Sequence, residues 1–151
     1  MEYKDYQGQV MKAKIISAGV VIVRRHEGEF QFLLLRAYTH WDFPKGVVEE
    51  GEEILDAALR EVEEESTITD LQFKWGHRFR ETGPYGPGKI ARYYMAETNQ
   101  KTVELPINPE LGRPEHEEYR WVNYHQAIDL VSARVRSVLE WAQGILKYED
   151  I

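Results

Sequence analysis

The sequence predicts an α/β protein with a mixed β-sheet held between helices. Three observations carry the prediction: strand-sized apolar runs near the start, an amphipathic acidic segment of helical period after them, and further strand candidates followed by a closing helix. Strands interleaved with helices, with the second half of the sheet following the acidic helix, are the pattern of a layered α/β domain.

Taken in order, Ile15–Arg25 and Phe30–Ala37 are rich in β-branched and large apolar residues, and the polar His26-Glu27-Gly28-Glu29 between them supplies a hairpin turn. Trp41-Asp42-Phe43-Pro44-Lys45-Gly46 is a breaker-rich loop leading to the acidic helix. In that helix Leu55, Ala58, Leu59 and Val62 recur at i, i+3, i+4 and i+7, an apolar stripe that would seat it on a core. Gly51, Glu52 and Glu53 mark its start, the acids near the positive end of the helix dipole. Thr69–Glu81 and Ile90–Glu97 are the next strand candidates, separated by Thr82–Gly88, a stretch too rich in Gly and Pro to be regular. A longer loop, Thr98–Pro114, holds Pro106, Pro109 and Pro114. Tyr119–Val122 is a short strand, followed by His125–Val131 and a longer helix over about Ser132–Tyr148. There Val135, Val138, Leu139, Ala142, Ile145 and Leu146 recur at helical spacing, the mark of a core-packing face. With no internal repeat and no linker-like tract, residues 1–151 are expected to form a single domain.

At 151 residues, with 42% hydrophobic and 12% aromatic content, the chain can bury a real core. Its apolar runs, such as Ala18–Val23 and Phe32–Leu35, are too short to span a bilayer. Met1–Lys14 is polar and mixed in charge, unlike a signal or transit peptide, so a cytoplasmic location is the expectation. No cysteine is present, which removes disulfides and thiolate zinc sites and is compatible with a reducing compartment. Histidines at 26, 40, 77, 116 and 125 form no close zinc-type pair. A formal charge of −7 disfavours non-specific binding to long nucleic acid, which rests on many Lys and Arg contacts to phosphates, but leaves room for a small nucleotide.

Chemistry is concentrated in the acidic helix. Glu61, Glu64 and Glu65 stand at i, i+3 and i+4, so they project to one flank and repel one another. Such an arrangement is either a solvated acidic face or a site for a compensating cation. Oxygen-only ligands suit a hard divalent ion, magnesium first and manganese second. The wider spacing decides between the two. Gly46, five residues, Glu52, seven residues, then Arg60-Glu61-Val62-Glu63-Glu64-Glu65-Ser66-Thr67-Ile68 resembles the signature of the Nudix hydrolases, which split nucleoside diphosphates linked to another group. Every fixed position matches except Thr67, where the family usually has Gly. A Gly there ends the helix in a left-handed conformation that Thr adopts less readily, so a different helix exit is expected.

The resemblance implies an α/β/α sandwich and assigns roles position by position. Glu61, Glu64 and Glu65 would coordinate magnesium with the Gly46 carbonyl as a further ligand, and Arg60 with Glu52 would orient the cluster. A further acid is expected just before the strand reading Arg120-Trp121; Glu115 is the best match, with Glu117 and Glu118 as alternatives. The general base is Glu64 or Glu65. Phe32–Ala37, His40–Gly46, Tyr93–Glu97 and Glu115-His116 before Tyr119-Arg120-Trp121 resemble the branch of the family that cleaves diadenosine tetraphosphate asymmetrically, to ATP and AMP. An RNA 5′ pyrophosphohydrolase or another nucleoside-diphosphate-linked pyrophosphatase is the alternative within the family; a non-enzymatic nucleotide sensor is the alternative outside it.

A polyphosphate needs cations beyond the metal, and His40, Lys45, Arg78, Arg80, Lys89 and Arg92 lie in the segments around the proposed site. Adenine needs a flat partner, for which Tyr85, Tyr93 and Tyr94 are candidates. Tyr93 and Tyr94 point to opposite faces of a strand, so at most one can reach a nucleotide, and the resemblance selects Tyr93.

Overall fold

In the computed structural model, which describes residues 1–150, the chain opens with a small hairpin, β1 (Glu2–Lys4) and β2 (Val10–Lys12). It then enters β3 (Ile15–His26), the centre of a seven-stranded sheet. This strand is apolar almost without a break because both of its faces are covered. Ile16, Ala18, Val20 and Ile22 enter one core and Val21 and Val23 the other. Around it run β4 (Glu29–Ala37), β5 (His40–Asp42), β6 (Lys45–Val47), β7 (Arg80–Tyr85), β8 (Lys89–Glu97), β9 (Ile107–Asn108), β10 (Arg113–Pro114) and β11 (Glu118–Val122). The path of the main sheet is β11-β4-β3-β8-β7, with β5 added to β4 and β6 to β3. The β3–β8 ladder, from Ile15 beside Lys89 to Val23 beside Glu97, is parallel, and every other pairing in this sheet is antiparallel.

Helices close both faces. The first core takes Ala57, Ala58 and Val62 from α1 (Ile54–Ser66). The second takes Ala127 from α2 (Tyr124–Leu130) and Val135, Val138, Leu139, Ala142, Ile145 and Leu146 from α3 (Ala133–Glu149). The expected mixed sheet between helices is therefore present, and the closing helix buries the face its periodicity marked. Among the described residues, no helix is long and apolar enough to cross a membrane.

Four local expectations are corrected. On α1 the buried residues are Ala57, Ala58, Val62, Glu65 and Ser66, while Leu59 is exposed and Leu55 half-buried. Small residues let the helix lie close to β3 and bring Glu65 inward. Most of Thr69–Glu81 is not a strand: Gln72 makes a single bridge to Glu97, the chain turns at Gly76, and the ladder begins only at Arg80. Leu71, Phe73 and Phe79 still pack on the core, so their apolar character reports burial without pairing. Conversely the Gly-Pro stretch is not wholly irregular, since β7 runs through Gly83 and Pro84 with a register shift between Thr82 and Tyr85. An edge strand tolerates a proline because that residue owes no ladder bond.

The fourth concerns the helix exit. Thr67 adopts the left-handed conformation usual for glycine, with φ 64° and ψ 8°, and its N–H donates to the Glu63 carbonyl at 2.9 Å. The exit geometry is thus the glycine one, held by a residue that resists it by about 1–2 kcal/mol. We expect Thr67→Gly to raise the melting temperature by a few degrees in thermal denaturation, the usual response of a domain of this size to about 1 kcal/mol. A lower melting temperature would mean that the Thr67 hydroxyl contributes more than its backbone costs.

Candidate active site

The segment from Trp41 to Val47 is pressed onto the sheet by two glycines. A Cβ on Gly19 would stand 2.3 Å from the Pro44 carbonyl oxygen, so only glycine lets this loop cross β3 so closely. A Cβ on Gly46 would stand 2.0 Å from Cδ of Glu61, so the Glu61 carboxylate lies directly against the Gly46 backbone. The same loop reaches the third acid, the Lys45 N–H donating to Oε1 of Glu65 at 2.9 Å.

Arg60 ties the acids together. Its Nε and Nη2 donate to both oxygens of Glu52 at 2.8 and 3.0 Å, and Nη2 also donates to the Val47 carbonyl at 3.0 Å. Nη1 donates to Oε1 of Glu61 at 2.8 Å and to Oε2 of Glu64 at 3.2 Å. One planar fork thereby fixes the loop, the helix start and two of the three helix carboxylates, Glu61 and Glu64. The bidentate contact holds the Glu52 carboxyl below its usual range.

Glu61, Glu64, Glu65 and Glu115 all line one cleft of about 980 Å³, together with Lys45, Gly46, Lys89 and His116. Burial, then the charges of Glu115 and Glu61, push the Glu65 carboxyl well above its usual range. Burial also raises Glu61, with Arg60 opposing it. These are carboxylates short of positive charge. Oxygens of Glu65 and Glu115 and a ring nitrogen of His116 lie within 4.8 Å of one another, a separation one ion can span. Burial lowers the His116 pKa and favours the neutral ring that can ligate. Glu65, Glu115 and His116 are donors that fit a divalent cation, and Glu61, Glu64 and Gly46 line the same cleft. His116 is not among the expected ligands; the sequence marks it only as part of the Glu115-His116 pair that carries the family resemblance.

Of the other acids, Glu117 and Glu118 bind Arg36 at 2.9 and 3.1 Å, and Glu118 also takes Arg120 at 2.7 Å. They are engaged away from the cleft, which leaves Glu115 as the one of the three that lines it. The expected cations separate in the same way. Lys45 and Lys89 line the cleft; His40 and Arg80 are exposed on β5 and β7. Arg78 pairs with Glu149 on α3 at 2.6 Å. Arg92 is buried, paired with Glu81 at 2.9 Å and stacked on Phe79 at 3.7 Å, so it is a structural cation rather than a phosphate ligand.

The tyrosines need a correction too. Tyr93 is 0% exposed, its ring packed edge-on against Phe43 and its hydroxyl donating to Asp42 at 3.0 Å. It has no face for a base. Tyr94, 5% exposed, packs into the opposite core against Phe79. Because β8 is an interior strand covered on both sides, alternation hides both rings. Tyr85, at the end of the edge strand, is half-buried against the second core and does not line the cleft, though Nζ of Lys89, which does, lies 5.7 Å from its ring centre.

A profile of the NUDIX domain matches residues 13–142. The chain is 36% identical over 120 residues to the asymmetrical bis(5′-nucleosyl)-tetraphosphatase of Caenorhabditis elegans, covering 76% of this chain and 83% of that one. It is 34% identical over 126 residues to the protein of that name from Mus musculus, covering 76% and 82%. The fold superposes on a solved binary complex of C. elegans Ap4A hydrolase with a TM-score of 0.74 at 30% identity, over 88% of this chain and 98% of that one.

Proposed function

Because the chain belongs to the Nudix hydrolase family, we propose that its residues form one domain that hydrolyses dinucleoside polyphosphates, converting diadenosine tetraphosphate to ATP and AMP with magnesium, or manganese in its place. The observation that carries this reading is the meeting, in one cleft, of four carboxylates with two lysines: Glu61, Glu64, Glu65 and Glu115 with Lys45 and Lys89. Similarity to relatives named for that reaction supports the choice of substrate.

A divalent ion held by these residues would neutralise charge on the phosphate oxygens and would lower the pKa of water so that it is readily deprotonated to the nucleophile. The chain does the rest. Glu61 and Glu65 are the fixed ligands, one held by Arg60 and the other by the Lys45 amide. Glu64 is exposed and only its Oε2 is engaged, so Oε1 is free to take the proton of the attacking water. Lys45 and Lys89 meet the phosphate chain, and Tyr85 offers its ring to one adenine. His40 and Arg80 are within the same reading as outer cations. A cytoplasmic location, compatible with a cysteine-free chain, belongs to the same proposal.

The test is product identity. Incubated with magnesium and a panel of dinucleoside polyphosphates, nucleotide sugars and triphosphorylated RNA, the protein should release ATP and AMP from diadenosine tetraphosphate faster than any product from the others. Two equivalents of ADP, or preferential attack on RNA with a steep loss of rate on adding salt, would overturn the assignment.

A further inference from the structure

Arg134 stands at the second residue of α3, after the N-cap Ser132. That is the positive end of the helix dipole, where a cation is unfavourable. Local helix stability gives no reason for an arginine here. Its guanidinium is instead directed into the region between β5, β7 and β8. Nη1 donates to Oγ1 of Thr82 at 2.9 Å and to the Tyr93 hydroxyl oxygen at 3.1 Å, and Nη2 donates to Oδ2 of Asp42 at 3.2 Å. Its Cζ lies 4.6 Å from the centre of the Tyr85 ring, a stacking distance for a planar cation. Asp42 is shared further: it accepts from the Tyr93 hydroxyl at 3.0 Å and from the Phe43 N–H at 2.7 Å, and Oδ2 lies 3.7 Å from Nζ of Lys45.

Two groups that the substrate reading uses are thus attached to one side chain that lines no part of the cleft. Tyr85 leans on the guanidinium, and Lys45 is drawn to the carboxylate that the guanidinium shares. We propose that Arg134 is a positioning residue for the nucleotide end of the substrate: it orients Tyr85 and, by neutralising Asp42, leaves the Lys45 ammonium available to phosphate. The proposal rests on the assignment of Tyr85 and Lys45 as substrate contacts. Without the guanidinium, Asp42 keeps its hydroxyl and amide donors but has only one cation to call on, Lys45, and holds it back from the cleft. Lysine cannot substitute, because a single ammonium cannot reach three acceptors and offer a plane to the ring.

The test compares Arg134→Met, Arg134→Lys and Tyr85→Ala, with the double variant of Met at 134 and Ala at 85. For diadenosine tetraphosphate, Arg134→Met should raise KM roughly tenfold while kcat stays within about twofold, the signature of lost binding rather than lost chemistry. Arg134→Lys should fold as the native protein and show most of the same rise. Manganese affinity, read by electron paramagnetic resonance, should be unchanged, since the carboxylates are untouched. The double variant should be clearly less than additive, because contacting residues that act through one another are coupled. If Tyr85→Ala raises KM and neither Arg134 variant does, the positioning role is refuted while the substrate reading stands. If neither Tyr85→Ala nor the Arg134 variants move KM, the substrate assignment of Tyr85 falls and the proposal with it. A fall in kcat at unchanged KM would also refute it.

Discussion

Gly46→Ala is expected to cut turnover by about 10²–10³ and leave the fold standing. The added Cβ would lie 2.0 Å from Cδ of Glu61 and 2.1 and 2.4 Å from its two oxygens, closer than any non-bonded contact permits. What it strikes is the far end of a flexible side chain. Glu61 can swing away at modest cost, and Gly46 has no positive φ that an alanine would strain. The ladder partners of β6 on β3 involve backbone only, Gly46 beside Ala18 and Lys45 beside Gly19. The protein should therefore melt within a few degrees of wild type. The cleft, however, loses from its place a carboxylate proposed as a metal ligand, and Arg60 loses one of the carboxylates it holds. Loss of one preorganised charged group of this kind reduces kcat by about 10²–10³. Steady-state kinetics beside a thermal melt checks both halves. Gly19→Ala makes the contrast, because there the clash is with the Pro44 backbone oxygen and the fold itself should suffer. Near-normal activity of Gly46→Ala would show that Glu61 is dispensable.

Glu65→Gln should cost at least as much activity and gain stability in the absence of metal. The Glu65 carboxyl is held well above the ordinary value of 4.5, first by burial and then by Glu115 and Glu61. Between 4.5 and its raised value, the folded protein keeps a proton that the unfolded chain has released. Stability then falls as pH rises through that window, since the unfolded state binds fewer protons. Metal-free wild type is accordingly expected to melt lower at neutral pH than near pH 5, and Glu65→Gln, which carries no charge to bury, should melt higher than wild type at neutral pH. On the proposed function, magnesium or manganese would supply the missing positive charge, so either ion is expected to raise the wild-type melting temperature at neutral pH and raise that of Glu65→Gln much less. Turnover of the variant should drop by about 10²–10⁴, the range for losing a metal-site charge or a proton acceptor. Calorimetric scans with and without ion, at two pH values, read all of this. If wild type and variant melt alike in metal-free buffer at neutral pH, Glu65 is not the strained carboxylate its burial implies.

The scaffold was readable to the extent that it depends on local periodicity. β3, β4 and β8 announce themselves as apolar runs, and α3 by a stripe that the structure buries residue for residue. The acidic helix was readable for the same reason, since three carboxylates at helical spacing must share a flank whatever lies opposite. Strand pairing was not readable. Leu71, Phe73 and Phe79 look like a strand because they are apolar, but a ladder needs a neighbour with free donors and acceptors, and along most of Thr69–Glu81 none is there. Pro84 looked like a breaker, yet an edge position made it harmless.

The same division runs through the site. By itself the sequence determined that Glu61, Glu64 and Glu65 share one flank of a helix, because the backbone repeat of a single segment sets that; the parts given to Arg60, Glu52 and Gly46 rested on the resemblance to the Nudix signature. Tertiary structure alone decided which of three later glutamates enters the cleft, that His116 stands with it, that Arg78 and Arg92 are spent on Glu149 and Glu81, and that Tyr93 is fully buried while Tyr85 stays half-buried at the sheet edge. Those outcomes depend on which partner, distant in the chain, arrives to cover or neutralise a side chain, as Arg134 does for Asp42. Burial and charge pairing are properties of the assembled layers, and no spacing along the chain encodes them.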